Sequence, residues 1–249
     1  MELITAIIVL IVGLFVGILN TVTGGGSVIS VPLLIVSGLP AQIAIGTNRF
    51  AMIFSSGVAA IEYHKKVKYE IRMLVMPTLF ASIGSALGAN IVLQFNERFV
   101  EYIIAGFMII MGVIIIYNKE LGLKKELTPI TRKKHYFIVL LSFVLGVYGG
   151  FYGAGVSTML SFLFVSSLGI SFIKSAGITR FIVTALSVIA AIIFLLNSKI
   201  DFLYGGLLTL SVILGAEIGV KIAIKVGNLW IRKIMIVLIL ITSINLIFF

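Results

Sequence analysis

The sequence contains no cysteine and very little charge. None of its 249 residues is a cysteine, which excludes disulfides, thiolate nucleophiles and cysteine-ligated metals. Charged residues make up 11% of the chain, whereas soluble domains carry about 25%. With 60% hydrophobic residues and a mean hydropathy of +1.23, the composition excludes a soluble globular domain and a disordered chain.

Histidine is almost as scarce, and this argues against an enzyme. The two histidines, His64 and His135, both lie in charged stretches, so a serine–histidine pair inside the apolar runs is unsupported. No histidines and acids stand at metal-ligand spacing. Gly24-Gly25-Gly26 lacks the Gly-Lys-Ser/Thr that completes a Walker phosphate loop. The sequence therefore predicts no enzyme activity, no metal and no cofactor.

Long apolar runs fill almost the whole chain. A transmembrane helix needs about 20 apolar residues, so the length leaves room for about eight to ten crossings. We therefore expect an all-α polytopic protein of the cell membrane, with the lipid bilayer as its surroundings. The net charge of +10 is then explained by cytoplasmic loops, which collect lysine and arginine, and no nucleic-acid partner is expected.

The second half of the sequence resembles the first. An offset of 129 residues takes Gly17, Gly24 and Gly26 to Gly146, Gly153 and Gly155, and an offset of 131 takes Arg49 to Arg180 and Gly84 to Gly215. Such internal similarity indicates a duplicated unit. The predicted organisation is two repeats of about five apolar segments each and a basic linker, over residues 1–117, 136–249 and 118–135 respectively.

The positive charges predict that the two repeats are inverted. Residues 62–72 and the linker 118–135 are rich in lysine and arginine and are placed inside the cell, whereas 97–101 is placed outside. In the second repeat the balance reverses, because 197–201 is poor in bases and 225–233 is rich in them. An odd number of segments per repeat produces this inversion. Both termini are then predicted to lie outside, with the linker cytoplasmic.

The second apolar segment of each repeat is unusually short. Ser27–Val36 and Val156–Val165 each follow a glycine-rich stretch and are too short to span comfortably, so each is short or re-entrant. Paired interrupted segments at matching places are typical of a transporter binding site. Helix starts there would direct free N–H groups and the positive end of the helix dipole towards an anion. The alternative is that the glycines only permit close helix packing.

Two arginines lie inside apolar runs at equivalent positions. Arg49 and Arg180 would cost several kcal/mol there, so each is a candidate functional residue. Arginine keeps its charge and offers a planar fork suited to oxyanions, and Asn48 and Thr179 stand just before them. The alternative is that each arginine snorkels to a membrane surface or pairs with backbone carbonyls.

The candidate substrate-binding residues combine these arginines with the polar residues and glycines around the two breaks. They are Asn20, Thr23, Gly24, Gly25, Gly26, Ser27, Asn48, Arg49, Tyr152, Gly153, Gly155, Ser157, Thr179 and Arg180.

Glu217 is the acid that stands deepest in an apolar run beyond the N-terminus. Lys221 follows four residues later and would share its helix face. One interpretation is a carboxylate that couples transport to protons, with a raised pKa. The other is a buried ion pair with Lys221.

Several of these motifs resemble those of a known family. Gly24-Gly25-Gly26-Ser27, Pro32-Leu33-Leu34 and Gly46-Thr47-Asn48-Arg49 resemble the first signature of the sulfite exporter TauE/SafE family, and the stretch from Gly149 to Gly155 resembles the second. The similarity extends over about residues 5–247. It implies a permease for sulfur-containing anions such as sulfite, thiosulfate or sulfonates, with a secondary, ion-coupled mechanism.

The residues and the resemblance together predict a secondary transporter that moves a small sulfur-containing anion by alternating access. Two alternatives stay open, namely a proton- or cation-coupled carrier that uses Glu217, and a non-transporting subunit of a membrane complex. The coupling ion would be a proton or sodium, and the sequence leaves a homo-oligomer open.

Overall fold

The computed structural model describes residues 3–67, 74–96, 99 and 131–248, with the backbone alone for Thr23, Phe172 and 226–248. Within these ranges the regular secondary structure is entirely helical, as the composition predicts. Eight helices are α1 (Leu3–Thr23), α2 (Ser27–Val36), α3 (Ala41–Lys66), α4 (Val75–Gln94), α5 (Arg132–Phe151), α6 (Val156–Leu168), α7 (Phe172–Leu196) and α8 (Phe202–Phe248).

Five of these helices are long and apolar enough to cross a membrane. They are α1, α4, α5, α7 and the part of α8 up to Lys225. By contrast, α2 and α6 contain 10 and 13 residues and are about 15 and 20 Å long at 1.5 Å per residue. A hydrocarbon core about 30 Å thick exceeds both lengths. The prediction that the second segment of each half is short is therefore confirmed.

The chain is helical at three places where a loop or linker was predicted. Residues 62–66 of the predicted loop 62–72 end α3, and residues 132–135 of the predicted linker begin α5. Residues 225–233 lie inside α8, which continues to Phe248, so the expected loop there is wrong. No proline follows Pro129, and a basic patch by itself does not stop a helix. The predicted fifth segment (102–117), linker residues 118–130, all of 68–72 and most of 97–101 lie outside the described residues.

The helices of the two halves of the chain pack against each other reciprocally. α1 packs along α8, and α4 packs along α5, so the first helix of each half lies against the fourth of the other. α3 packs against both α7 and α8, and α7 packs against both α3 and α4. The long third helices, α3 and α7, therefore meet at the centre of the molecule.

Glycines allow close approach at the two outer packing surfaces, which lie between α1 and α8 and between α4 and α5. A methyl group on Gly84 of α4 would collide with the carbonyl oxygen of Phe143, and one on Gly215 of α8 would collide with that of Leu14. Phe143 and Leu14 are themselves related by the offset of 129 residues. Small residues let helix backbones approach closely where lipid offers no hydrophobic drive to associate. Close helix packing therefore accounts for Gly84 and Gly215, whereas the glycines at the breaks have another role.

Candidate functional site

Two breaks interrupt the helices at the centre of the molecule. The first break (residues 24–26) separates α1 from α2, and the second break (residues 152–155) separates α5 from α6. Gly24 has a φ of +87°, and Gly153 and Gly155 have φ values of +71° and +75°. Only glycine adopts these angles without strain. The glycines therefore produce the abrupt turns that end α1 and α5.

The first break contacts the helix that follows the second. A Cβ at Gly24 would stand 2.6 Å from the Cβ of Ser157 and 2.8 Å from the backbone nitrogen of Thr158. Gly26 lies against Asn20 and the carbonyl oxygen of Val16, so α2 begins alongside α1. The absence of a side chain at Gly24 thus lets the start of α6 reach the first break.

Arg49 extends from α3 to the second break. Its Nη2 donates a 2.6 Å hydrogen bond to the carbonyl oxygen of Tyr152, and any Cβ at Gly153 would overlap its guanidinium. The side chain is 1% exposed. Arg49 therefore does not snorkel to a surface. It does pair with a backbone carbonyl, as the alternative interpretation expected, but that carbonyl belongs to the other half of the chain.

Arg180 makes the reciprocal connection from α7. Its Nη1 donates a 3.1 Å hydrogen bond to Oδ1 of Asn20, and the amide of Asn20 in turn donates to Oγ of Ser55 at 3.3 Å. Arg180 is also 1% exposed, so snorkelling is wrong for this residue as well. Each arginine thus contacts the break region of the opposite half.

Both guanidinium groups retain unused donors and uncompensated charge. The Nε atoms of Arg49 and Arg180 are buried and have no hydrogen-bond partner. Of the acids with described side chains, Glu62, Asp201 and Glu217, none is buried. The described residues likewise contain no group of three histidines or acids that could hold a metal ion. Because an isolated buried charge costs several kcal/mol, this arrangement is suited to binding an anion.

Asn48 and Thr179 fasten the short helices to the long ones. Asn48 accepts a 2.6 Å hydrogen bond from Ser30 and donates one of 3.1 Å to Ser27. Thr179 shares a 3.2 Å hydrogen bond with Ser161. Both residues stand just before an arginine, so these bonds place α2 beside Arg49 and α6 beside Arg180.

The starts of the short helices offer fewer free donors than the sequence predicts. The N–H groups of Val28 and Ile29 donate to the carbonyl oxygens of Gly25 and Gly26, at 3.0 Å each. The N–H of Val156 donates to Gly153 at 3.2 Å. The expectation that backbone N–H groups there are free is wrong for these three residues, since tight turns at the breaks use them. These three N–H groups therefore add no free donor to the site.

The structure brings most of the predicted site residues together. Continuous contacts join Arg49, the second break, the first turn of α6, Gly24, Asn20 and Arg180. Tyr152, Gly155, Ser157 and Ser27 are buried around these contacts, and Gly25 is half-buried. The side chain of Thr23 lies outside the described side chains.

Glu217 and Lys221 lie elsewhere. Both side chains are described and both are exposed on α8, and no ion pair within 4.0 Å joins them. The interpretation as a buried ion pair is therefore wrong. Gly215 and Gly219 occupy the face of α8 that packs on α1, which leaves Glu217 and Lys221 on another face.

Ser55 is a site residue that sequence reasoning missed. Its hydroxyl accepts from Asn20, the partner of Arg180. A serine inside an apolar run gives no signal of this role, because the contact joins α1 to α3 across 35 residues of sequence. Tyr148 braces the second break, because its hydroxyl donates a 2.6 Å hydrogen bond to the carbonyl oxygen of Ala154.

Comparisons with known proteins agree with this architecture. A "Probable membrane transporter protein" of Haemophilus influenzae is 25% identical over 230 residues, covering 91% of this chain and 88% of that protein. The "Probable membrane transporter protein YfcA" of Escherichia coli K12 is 20% identical, covering 95% of this chain and 87% of that protein. An 81-residue stretch is 31% identical to "Sulfite exporter TauE/SafE family protein 3" of Arabidopsis thaliana, covering 32% of this chain and 17% of that protein.

No solved structure matches the chain significantly. The model of the family described as "Sulfite exporter TauE/SafE" matches residues 9–246. This match spans both breaks, both arginines, α2 to α7 and most of α1 and α8. The chain therefore belongs to the sulfite exporter TauE/SafE family of membrane transporters.

Proposed function

We propose that this protein is a secondary transporter that moves a small sulfur-containing anion, such as sulfite, thiosulfate or a sulfonate, across the cell membrane. The anion is bound between Arg49 and Arg180, where the first break meets the start of α6. One half then rocks against the other, so that access alternates between the two sides of the membrane. A proton or sodium ion would drive the cycle.

One observation carries the anion assignment. Two arginines are 1% exposed, have unpartnered Nε donors, and have no buried acid near them among the described residues. An intramembrane charge persists only where it performs a function or is compensated. The planar fork of a guanidinium fits the oxygen atoms of a sulfur oxyanion, and the family's description refers to sulfite.

The exchange of packing between the halves supports an inverted repeat. α1 lies on α8 as α5 lies on α4, and equivalent glycines mediate both surfaces. Arg49 also contacts the second break, and Arg180 contacts Asn20 in the last turn of α1, just before the first break. Alternating access by rocking needs such related halves around one fixed site. The division into residues 1–117, 118–135 and 136–249, the outside termini and the cytoplasmic linker are parts of this proposal.

The alternatives are less well supported by the geometry. A cation carrier that uses Glu217 would require this carboxylate near the central site, but Glu217 is exposed on α8. A non-transporting subunit would have no reason to hold two uncompensated arginines at its centre. Anion binding therefore discriminates between these functions.

The test is the thermal stability of the detergent-purified chain against sulfite, thiosulfate, sulfoacetate and acetate. A ligand that binds only the folded state raises the melting temperature as its concentration rises. At a ligand concentration of a hundred times Kd, the gain in folding stability is about 2.7 kcal/mol. We expect a shift with at least one sulfur oxyanion. Arg49→Gln and Arg180→Gln should each abolish it, and uptake of that anion into proteoliposomes should be lost in parallel.

Arg132→Gln is the matched control, because Arg132 is exposed at the start of α5. This variant should keep the full shift. Circular dichroism and gel filtration identify variants that fail to fold, and Arg49→Lys and Arg180→Lys then keep the charge without the fork. A shift that survives both glutamine substitutions, or no shift with any anion, contradicts the proposal.

A further inference from the structure

The central site holds two positive charges and, within the described residues, no negative one. Among the described side chains, the buried charged ones are Arg49 and Arg180. The ion pair between Lys65 and Glu62 lies at the surface end of α3. Each buried cation without a counter-charge is poorly solvated. A bound ligand neutralises both arginines only if it brings two negative charges.

Neutral groups hold both arginines in place. Arg49 is held by the backbone carbonyl of Tyr152, and Arg180 is held by the side-chain amide of Asn20. These oxygens orient the guanidinium groups through their dipoles, but they leave the net charge unchanged. One Nε on each side is buried and has no hydrogen-bond partner.

Of the two groups that hold the arginines, the Asn20 amide is the more informative about charge. A guanidinium can only donate, so the atom that faces Arg180 must be the amide oxygen, and the amide nitrogen then faces Oγ of Ser55. Aspartate has the same shape and would also accept from both Arg180 and the Ser55 hydroxyl. It would pair with Arg180 and cancel its charge. The amide at this position gives the orientation without the neutralisation.

We infer that the site selects a dianion, which brings one negative charge for each arginine. Asn20 is a positioning residue that orients Arg180 without neutralising it, so the ligand must supply both negative charges. This rests on the proposed function and specifies its substrate class. Divalent sulfur oxyanions, and sulfonates that carry a second carboxylate, fulfil the requirement. Monoanions and zwitterionic sulfonates such as taurine leave one arginine uncompensated.

The experiment uses two pairs of ligands that match in shape and differ in charge. Sulfate and methanesulfonate are both tetrahedral and fully ionised at neutral pH, with charges of −2 and −1. Sulfoacetate and sulfoacetamide form a larger pair with the same difference. Binding to the full-length purified chain is measured by calorimetry and by thermal shift. For at least one pair we expect the dianion to bind about tenfold or more tightly than its monoanionic partner.

Asn20→Asp should change this preference. The new carboxylate pairs with Arg180, so one uncompensated charge remains on Arg49. We expect the affinity for the dianion to fall by about tenfold or more, while the monoanion binds as tightly or better. Asn20→Ser is the matched control, since it removes the contact with Arg180 without adding charge. It should weaken both members of a pair alike and keep the dianion preferred.

The outcomes separate this inference from the proposed function. If wild-type protein binds a monoanion as tightly as its dianion and loses it on Arg49→Gln, the anion site stands and the dianion requirement is overturned. The same holds if Asn20→Asp lowers both affinities equally. If Asn20→Asp does not fold, the wild-type preference within each pair still decides. If sulfite, thiosulfate and both pairs all fail to bind, the proposed function falls together with this inference.

Discussion

The two breaks occupy equivalent positions but have different surroundings. In the first break, Gly24 has a positive φ and makes room for the start of α6. In the second break, Gly153 has a positive φ as well and makes room for Arg49. One glycine therefore permits helix packing and the other permits a charged side chain to reach the backbone. The same local conformation has been put to two uses.

The arginines differ in the same way. Asn20 gives Arg180 a side-chain acceptor, but its equivalent under the offset of 129 residues is Gly149, which has no side chain to offer. Arg49 uses the carbonyl oxygen of Tyr152 instead. The two halves of the site are thus related in fold and unequal in chemistry. The proposed site would therefore favour one orientation of an asymmetric anion.

The largest expected effect comes from a substitution at Gly153, the glycine of the second break that makes room for Arg49. Gly153→Ala would place a Cβ in the guanidinium of Arg49 at a φ of +71°. We expect a loss of about 2 kcal/mol or more in stability and, because Arg49 is displaced, complete loss of the anion-induced thermal shift. Melting curves with and without anion measure both quantities.

Gly38→Ala is the control for backbone strain, because Gly38 has a φ of +97° and open space around it. It should lower stability by about 1 kcal/mol and keep the anion shift. If Gly153→Ala also keeps the shift, Arg49 is not required where the second break places it.

A smaller effect tests whether the outer packing surfaces are equivalent. Gly84→Ala and Gly215→Ala each place a methyl group on a carbonyl oxygen of the helix alongside, at Phe143 and Leu14 respectively. We expect both variants to lose about 2 kcal/mol, within about 1 kcal/mol of each other. Thermal melting of the two variants in one detergent measures the difference.

Gly206→Ala serves as the control, since nothing lies within 4 Å of its added methyl group on α8. It should be neutral or slightly stabilising, because alanine favours helix over glycine. Strongly unequal losses at Gly84 and Gly215 would contradict the equivalence of the two surfaces.

The residues that precede the arginines should differ by less. Asn48 makes two side-chain hydrogen bonds to α2, at 2.6 and 3.1 Å, and Thr179 makes one to α6, at 3.2 Å. We expect Asn48→Ala to cost about 2 kcal/mol and Thr179→Ala about 1 kcal/mol. Chemical denaturation gives the order, and a reversed order would show that the tether of α6 is the more important one.

The smallest effect concerns an acid that only one half contains. Glu217 stands where the first half has Ala86, and its side chain is exposed. Glu217→Gln should leave the anion-induced thermal shift unchanged within error. A pH- or cation-dependent shift that disappears in this variant would instead favour the carrier that uses Glu217.

The strongest sequence predictions came from features that a single segment determines. Ser27–Val36 was predicted as a short apolar segment and is the observed α2, because glycines and prolines bound it. The 197–201 stretch was predicted as a loop and separates α7 from α8. The loop at 225–233 was wrong, since charge alone does not end a helix. The buried pair of Glu217 and Lys221 was wrong because their shared face turned out to be exposed.

The sequence by itself determined that the chain belongs in a lipid bilayer and is helical. It also determined the positions of the two breaks and the equivalence of the two arginines. Each follows from composition, periodicity or internal similarity along the chain. Only the tertiary structure decided that Arg49 reaches Tyr152 and that Arg180 reaches Asn20, over 103 and 160 residues of sequence. Such contacts depend on how α3 and α7 cross, and local sequence carries no information about a partner that packing alone brings close.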